Sequence, residues 1–213
     1  MLSSPVFQQS DALEVELRRV FGVPRYDDTH RLQVSYLACS LSIEHWTAMR
    51  RLLQVGLLPS GLVVHRAQYE AAVRGIWALY AAPDTQVEKL ASILSTESEQ
   101  ASKNLPQVAE MLGSLALKAP SEPVVMMGRF KETSWKALNS YVHAGIHPLQ
   151  RHSKGYPVQL IEQMTRNANG LAVIATIHAA VLTGRQDVVA SVYALQYGFI
   201  DCLPPRTDGK GPS

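Results

Sequence analysis

Three of the chain's seven histidines, His143, His147 and His152, fall within the stretch "NSYVHAGIHPLQRHSK", which runs from Asn139 to Lys154. Histidine is the side chain whose ordinary pKa lies nearest neutrality, so it can accept a proton and return it. On a helix turning about 100° per residue, Lys136, Asn139, His143 and His147 share an arc of about 80°. Leu138, Val142 and Ile146 occupy the neighbouring arc, which faces a core. The polar stripe is either the solvated edge of an amphipathic helix or a site. As a site it gives His143 the proton transfer, Lys136 the steadying of an anion and Asn139 its orientation. His147, Arg151, His152 and Lys154 add binding groups beside it, and the combination suits a phosphate-bearing ligand.

His143 and His147 also have the spacing of the zinc-protease pattern H-E-x-x-H. Ala144 stands where that pattern needs its general base, no cysteine is near, and Asp and Glu are absent from Ala137 through Ile161. No metal is therefore expected, and no cofactor motif is present: the chain has neither G-x-G-x-x-G nor a phosphate-binding P-loop. A G-x-S-x-G nucleophile elbow is missing as well.

A second constellation lies in "GLVVHRAQYEAAVRGIWALYAA". Leu62, Tyr69, Val73, Ile76, Trp77 and Tyr80 give this helix a large apolar face, with Arg66 inside it and Glu70 at its edge. Burying charge costs several kcal/mol per ion unless it is paired. Arg66 and Glu70 are thus expected to form a largely buried pair, either fixing helix register or aiming the arginine into an anion pocket. If the pair is fully buried, Glu70→Ala costs about 3–5 kcal/mol. Glu44 and His45 share one helix, of which only one can face inward, and His178 in its apolar surroundings reads as a core histidine.

The elements that must position these residues are helical throughout. Helical periodicity predicts segments over 8–20, 29–55, 60–81, 84–103, 106–117, 124–147, 157–183 and 186–200, separated by Pro and Gly stops. Ser10 or Asp11 is a candidate cap for the first, an interruption is expected near Gly128, and Pro148 is expected to stop the helix that carries the stripe. Residues 95–104 read as a polar, solvated stretch, and 205–213 as a mobile tail. The chain has 213 residues, of which 46% are hydrophobic and 18% charged, with a formal net charge of +2. That supports one domain with a sizeable core and argues against a disordered chain or a whole-molecule polyanion binder. The prediction is an all-α, single-domain bundle of long antiparallel helices over 1–204.

No secretory signal opens the chain, and Cys39 and Cys202 have no metal or redox spacing, so a cytoplasmic protein with reduced thiols is expected. The longest apolar run, Gly170 to Gly184, has 15 residues and includes His178; a membrane span needs about 20.

Arg66-x3-Glu70 on one helix and "LNSYVHAG" on a later one resemble, over about residues 32–180, bacterial all-α families grouped with the HEPN (higher eukaryotes and prokaryotes nucleotide-binding) superfamily. The resemblance implies a dimeric helical bundle and, in many members, a metal-independent ribonuclease of defence or stress systems. The superfamily signature is an arginine, often followed by a polar residue, a few positions before a histidine. His143 matches the histidine and Asn139 the polar residue, whereas Leu138 stands at the arginine position. Lys136 or Arg66 would then supply the cation. Two functions follow as expectations: action on RNA or a nucleotide phosphate without metal, or a non-catalytic interaction module such as an antitoxin-like or immunity-like partner.

Overall fold

The computed structural model describes residues 4–205; the tail expected beyond Pro205 lies outside them. The chain is 80% helical and forms a single all-α domain with no strand among the described residues. Its helices are α1 (Pro5–Val20), α2 (His30–Gln54), α3 (Leu58–Tyr80), α4 (Asp84–Ala91), α5 (Thr96–Ser102) and α6 (Val108–Lys118). After these come α7 (Ser121–Phe130), a π-helical turn (Lys131–Trp135), α8 (Lys136–Val142), α9 (Ile146–Lys154), α10 (Val158–Val181) and α11 (Gln186–Gly198). A 3₁₀ turn, Ile200–Cys202, leads to the C-terminus.

The centre of the fold is the α2–α3 hairpin. Ser35 Oγ donates to the Gly75 carbonyl (2.8 Å) and Ser42 Oγ to that of Gln68 (3.0 Å), so the numbering runs in opposite directions and the helices are antiparallel. Small residues let them approach closely. A Cβ at Gly75 would lie 2.7 Å from Cys39 Sγ and 3.1 Å from the Ser35 carbonyl oxygen. Burial pushes the Cys39 thiol up to about 12, so it behaves as an inert core group.

α1 and α10 close over this hairpin through polar contacts that the apolar pattern hides. Arg50, on α2, is fully buried. Its guanidinium lies over the Trp46 ring, 4.4 Å from the centroid, and donates to Asp11 (2.7 Å) and to Glu14 on α1. Burial alone would raise the Glu14 carboxyl, but hydrogen bonds from Thr47 and Arg18 and the charge of Arg50 hold it below the usual carboxylate range. Trp46 Nε1 donates to Asn169 Oδ1 (2.8 Å), and Asn169 Nδ2 donates to Ser10 Oγ (2.7 Å) and to the Cys202 carbonyl (2.6 Å). Ser10 is therefore not a helix cap. It is buried mid-helix, donating to the Val6 carbonyl (2.6 Å), and α1 starts at Pro5, whose missing N–H costs nothing in a first turn.

Two predicted segments are divided differently from expectation. The helix expected over 84–103 breaks after Ala91, because Ser95 and Ser98 form a capping box that starts α5. The segment expected over 124–147 starts earlier, at Ser121, and passes Gly128 without a break. It widens into the π turn at Lys131–Trp135 and ends at Val142. Pro148 does not end it. It sits in the first turn of α9, where proline is tolerated.

A buried histidine gives this core a pH dependence. His65, on α3, is buried, its Nδ1 3.0 Å from Gln68 Oε1 and its ring edge-on to Phe130. Gln68 Nε2 is itself fixed by the Ala168 carbonyl at 2.8 Å. Burial pushes the imidazole down to about 4, against a partial opposing effect of the Gln68 hydrogen bond. Between that value and the unfolded value of about 6.5 the unfolded chain binds the extra proton, so stability falls as pH falls through this window. Urea unfolding at pH 7 and near pH 4 is expected to differ by about 3 kcal/mol from this group. A flat profile across the window would contradict a neutral, buried His65.

Candidate functional site

The histidine stripe is divided by a turn. α8 stops at Val142, and His143 caps it with φ −102° and ψ 19°, its N–H on the Asn139 carbonyl at 3.3 Å. Ala144 then adopts φ 49°, the left-handed region that a non-glycine residue seldom visits. The Gly145 N–H donates to the Ser140 carbonyl (2.8 Å), and Ser140 Oγ accepts the His147 N–H (3.2 Å). Lys136, Asn139 and His143 remain on one side of α8, while His147, Arg151, His152 and Lys154 belong to α9. The single helical stripe through His147 is thus corrected. The turn is held by Ser140, whose carbonyl and hydroxyl oxygens accept the Gly145 and His147 N–H groups and offset the cost of Ala144 in the left-handed region.

Lys136, His143, His147, His152 and Lys154 are exposed, and Asn139 and Arg151 are half-buried. Arg66 lies elsewhere. Its guanidinium sits over the Trp135 ring, 4.7 Å from the centroid, and donates to Glu70 at 3.0 Å. Trp135, on which Arg66 stacks, lies about 12 Å of helical rise before His143. The Arg66–Glu70 pair is also less buried than the apolar face suggested: the side chains are 18% and 39% exposed, because Glu70 lies at the rim of α3.

Two cavities lie apart from the histidines of the α8–α9 turn. The larger, about 830 Å³, is a groove between α7, α10 and α11, closed at one end by Leu203–Pro205. Ile174, Ile177 and Val181 form its floor, Val125 and Met126 one wall and Tyr193 the other. His178 lines it as well. Its ring nitrogen Nδ1 donates to the Ile174 carbonyl at 2.8 Å, and burial holds it neutral by lowering its pKa, against that hydrogen bond. Sequence reasoning read His178 as a core residue and gave no sign of the groove, since nothing in a chain states which helices stand apart. The smaller cavity, about 440 Å³, lies between α2, α3 and the start of α6 and presents His45, Glu70, Arg74 and Lys103. Arg74 was legible in principle: it repeats Arg66 and Glu70 at i+8 and i+4 on the same face of α3.

Among the described residues no three His, Cys, Asp or Glu side chains come together as a metal-holding group, and no helix is long and apolar enough to cross a membrane. A family of unknown function (DUF6988) matches residues 39–205. The chain belongs to that family. No curated protein and no solved structure matches it. The DUF6988 match takes in the larger cavity, the smaller one except Ala38, and the α8–α9 turn, whereas α1, which supplies the carboxylates around Arg50, precedes it.

The exposure of the Arg66–Glu70 pair changes the expected cost of breaking it. Arg66 keeps its stacking on Trp135, and water reaches Glu70. Glu70→Ala is therefore expected to cost about 1 kcal/mol or less in urea unfolding, the range of solvent-screened pairs. A loss of the size seen for fully buried pairs would show that the arginine depends on this carboxylate alone.

Proposed function

We propose that this DUF6988 protein is a non-catalytic helical interaction module that self-associates through the groove between α7, α10 and α11. The observation that carries the reading is the apolar rim of that groove. Val125, Met126, Val181, Tyr193 and Ile200 are 37–55% exposed around a concave floor that is itself apolar. Contiguous exposed apolar surface of this kind marks an interaction site. A second copy is the occupant that the face fits. The exposed Tyr193 and Ile200 border the hollow itself, so one patch carries both, as an isologous two-fold contact requires. Glu122 and Arg129 stand two turns apart on α7 and carry opposite charges, so antiparallel copies of α7 would set Glu122 against the partner's Arg129 and the reverse. In the larger cavity the one histidine, His178, is held by the Ile174 carbonyl, which favours binding over catalysis there.

Light scattering on the full-length chain tests this. The wild type is expected at twice the chain mass at micromolar concentration. Val125→Glu, on a half-exposed side chain, is expected as a monomer with unchanged far-UV circular dichroism. A wild type that stays monomeric ends the self-association reading.

A second reading rests on the α8–α9 face. Lys136, Arg151 and Lys154 stand beside three exposed or turn-borne histidines, and the sequence has no Asp or Glu from 133 to 161. An acid-free cationic face of this kind favours a phosphate backbone, in line with action on RNA in an HEPN-like manner. There His143 is the proton-transfer group, with Asn139 and Lys136 beside it. If RNA is cleaved, His143→Ala is expected to lower the rate by about 10²–10⁴-fold, with no effect of EDTA on the wild type. Cleavage indifferent to His143→Ala would end that reading.

A further inference from the structure

We propose that the cavity between α2, α3 and the start of α6 is a binding site for a small phosphate monoester, anchored by Arg74. The argument starts from the arginine. Arg66, Glu70 and Arg74 follow one another at successive turns of α3. Glu70 is already hydrogen-bonded by Arg66 at 3.0 Å. Arg74 lies within the field of the same carboxylate, yet its Nη1 is buried and has no hydrogen-bond partner among the described residues. Buried polar groups are almost always paired, and an unpaired one calls for an explanation such as an absent ligand. The guanidinium fork matches phosphate geometry.

The surroundings agree with that ligand. His45 on α2 and Lys103 before α6 face the same space as Arg74. One carboxylate, shared between two arginines, leaves the cavity cationic. Gln107 and Val108, at the start of α6, also line it. Small residues on the hairpin, Ala38, Ala67 and Ala71, keep the cavity open. At about 440 Å³ it has room for more than inorganic phosphate, and Leu41, Leu105 and Pro106 offer an apolar seat for an organic body. Hydrogen-bonding groups approaching from α2, α3 and the α6 loop surround a tetrahedral oxyanion better than a planar carboxylate. This inference is independent of self-association, because the two cavities share no lining residue.

The test is ligand-dependent thermal stability of the full chain, with inorganic phosphate, phenyl phosphate and benzoate as probes. Saturable stabilisation is expected in the order phenyl phosphate, then inorganic phosphate, with none from benzoate. Arg74→Gln is expected to weaken phenyl phosphate by about tenfold or more, the loss of a charge-assisted hydrogen bond. Its melting temperature without ligand should be unchanged or higher, since a half-buried guanidinium with an unpartnered Nη1 has gone. A merely structural Arg74 would instead lower that temperature and leave affinity alone. Lys103→Glu, on an exposed side chain, is expected to weaken phenyl phosphate severalfold and carries the test if Arg74→Gln does not fold. The proposal is overturned if millimolar phenyl phosphate gives no saturable stabilisation, if benzoate matches it, or if neither substitution changes its affinity.

Discussion

The structure depends on one buried cation. Arg50 is enclosed between the carboxylates of α1 and the ring of Trp46, and Trp46 passes the connection to Asn169, which holds Ser10 and the Cys202 carbonyl. Four parts of the chain far apart in sequence are thus joined at one point: α1, α2, α10 and the C-terminal turn. A guanidinium with no exposed surface is stable only while its counter-charges stay in place. An apolar interface tolerates sliding by a residue; this network does not, because a shift strands the arginine and an amide together. It fixes the register of α1 against α2 and of α10 against both.

That rigid centre explains where binding chemistry is found. The α2–α3–α10 core uses its polar groups internally: His65 on Gln68, Gln68 on Ala168, Tyr69 on the Met127 carbonyl at 2.8 Å. Groups consumed in this way have no valence left for a ligand. The open positions lie where shorter elements lean on the core, at the α7–α11 groove, the α6 cavity and the α8–α9 turn. α3 bridges the two regimes. Its inner face carries the buried histidine and tyrosine, while its outer row of Arg66, Glu70 and Arg74 runs from the Trp135 stack to the rim of the smaller cavity. The same helix therefore holds the bundle together and offers a charge to whatever enters beside α6.

By itself the sequence determined the all-α class, the long central helices and the core face of α3, because these follow from local periodicity and from the Pro and Gly stops between segments. It also marked Arg66 and Glu70 as a pair, since i, i+4 spacing is a property of the helix alone. The placement of the histidines was legible only in part. Asn139 and His143 share α8 as their spacing implies, but the chain turns at Ala144, where a weak helical preference lost to hydrogen bonds made by Ser140. Tertiary structure alone decided the rest. Arg50 is enclosed only because α1 brings Asp11 and Glu14 to it, and Ser10, a candidate cap by sequence, is held by Asn169 instead. The cavities, too, are gaps between elements distant in sequence, and periodicity reports which face of a helix is apolar but not which neighbour covers it.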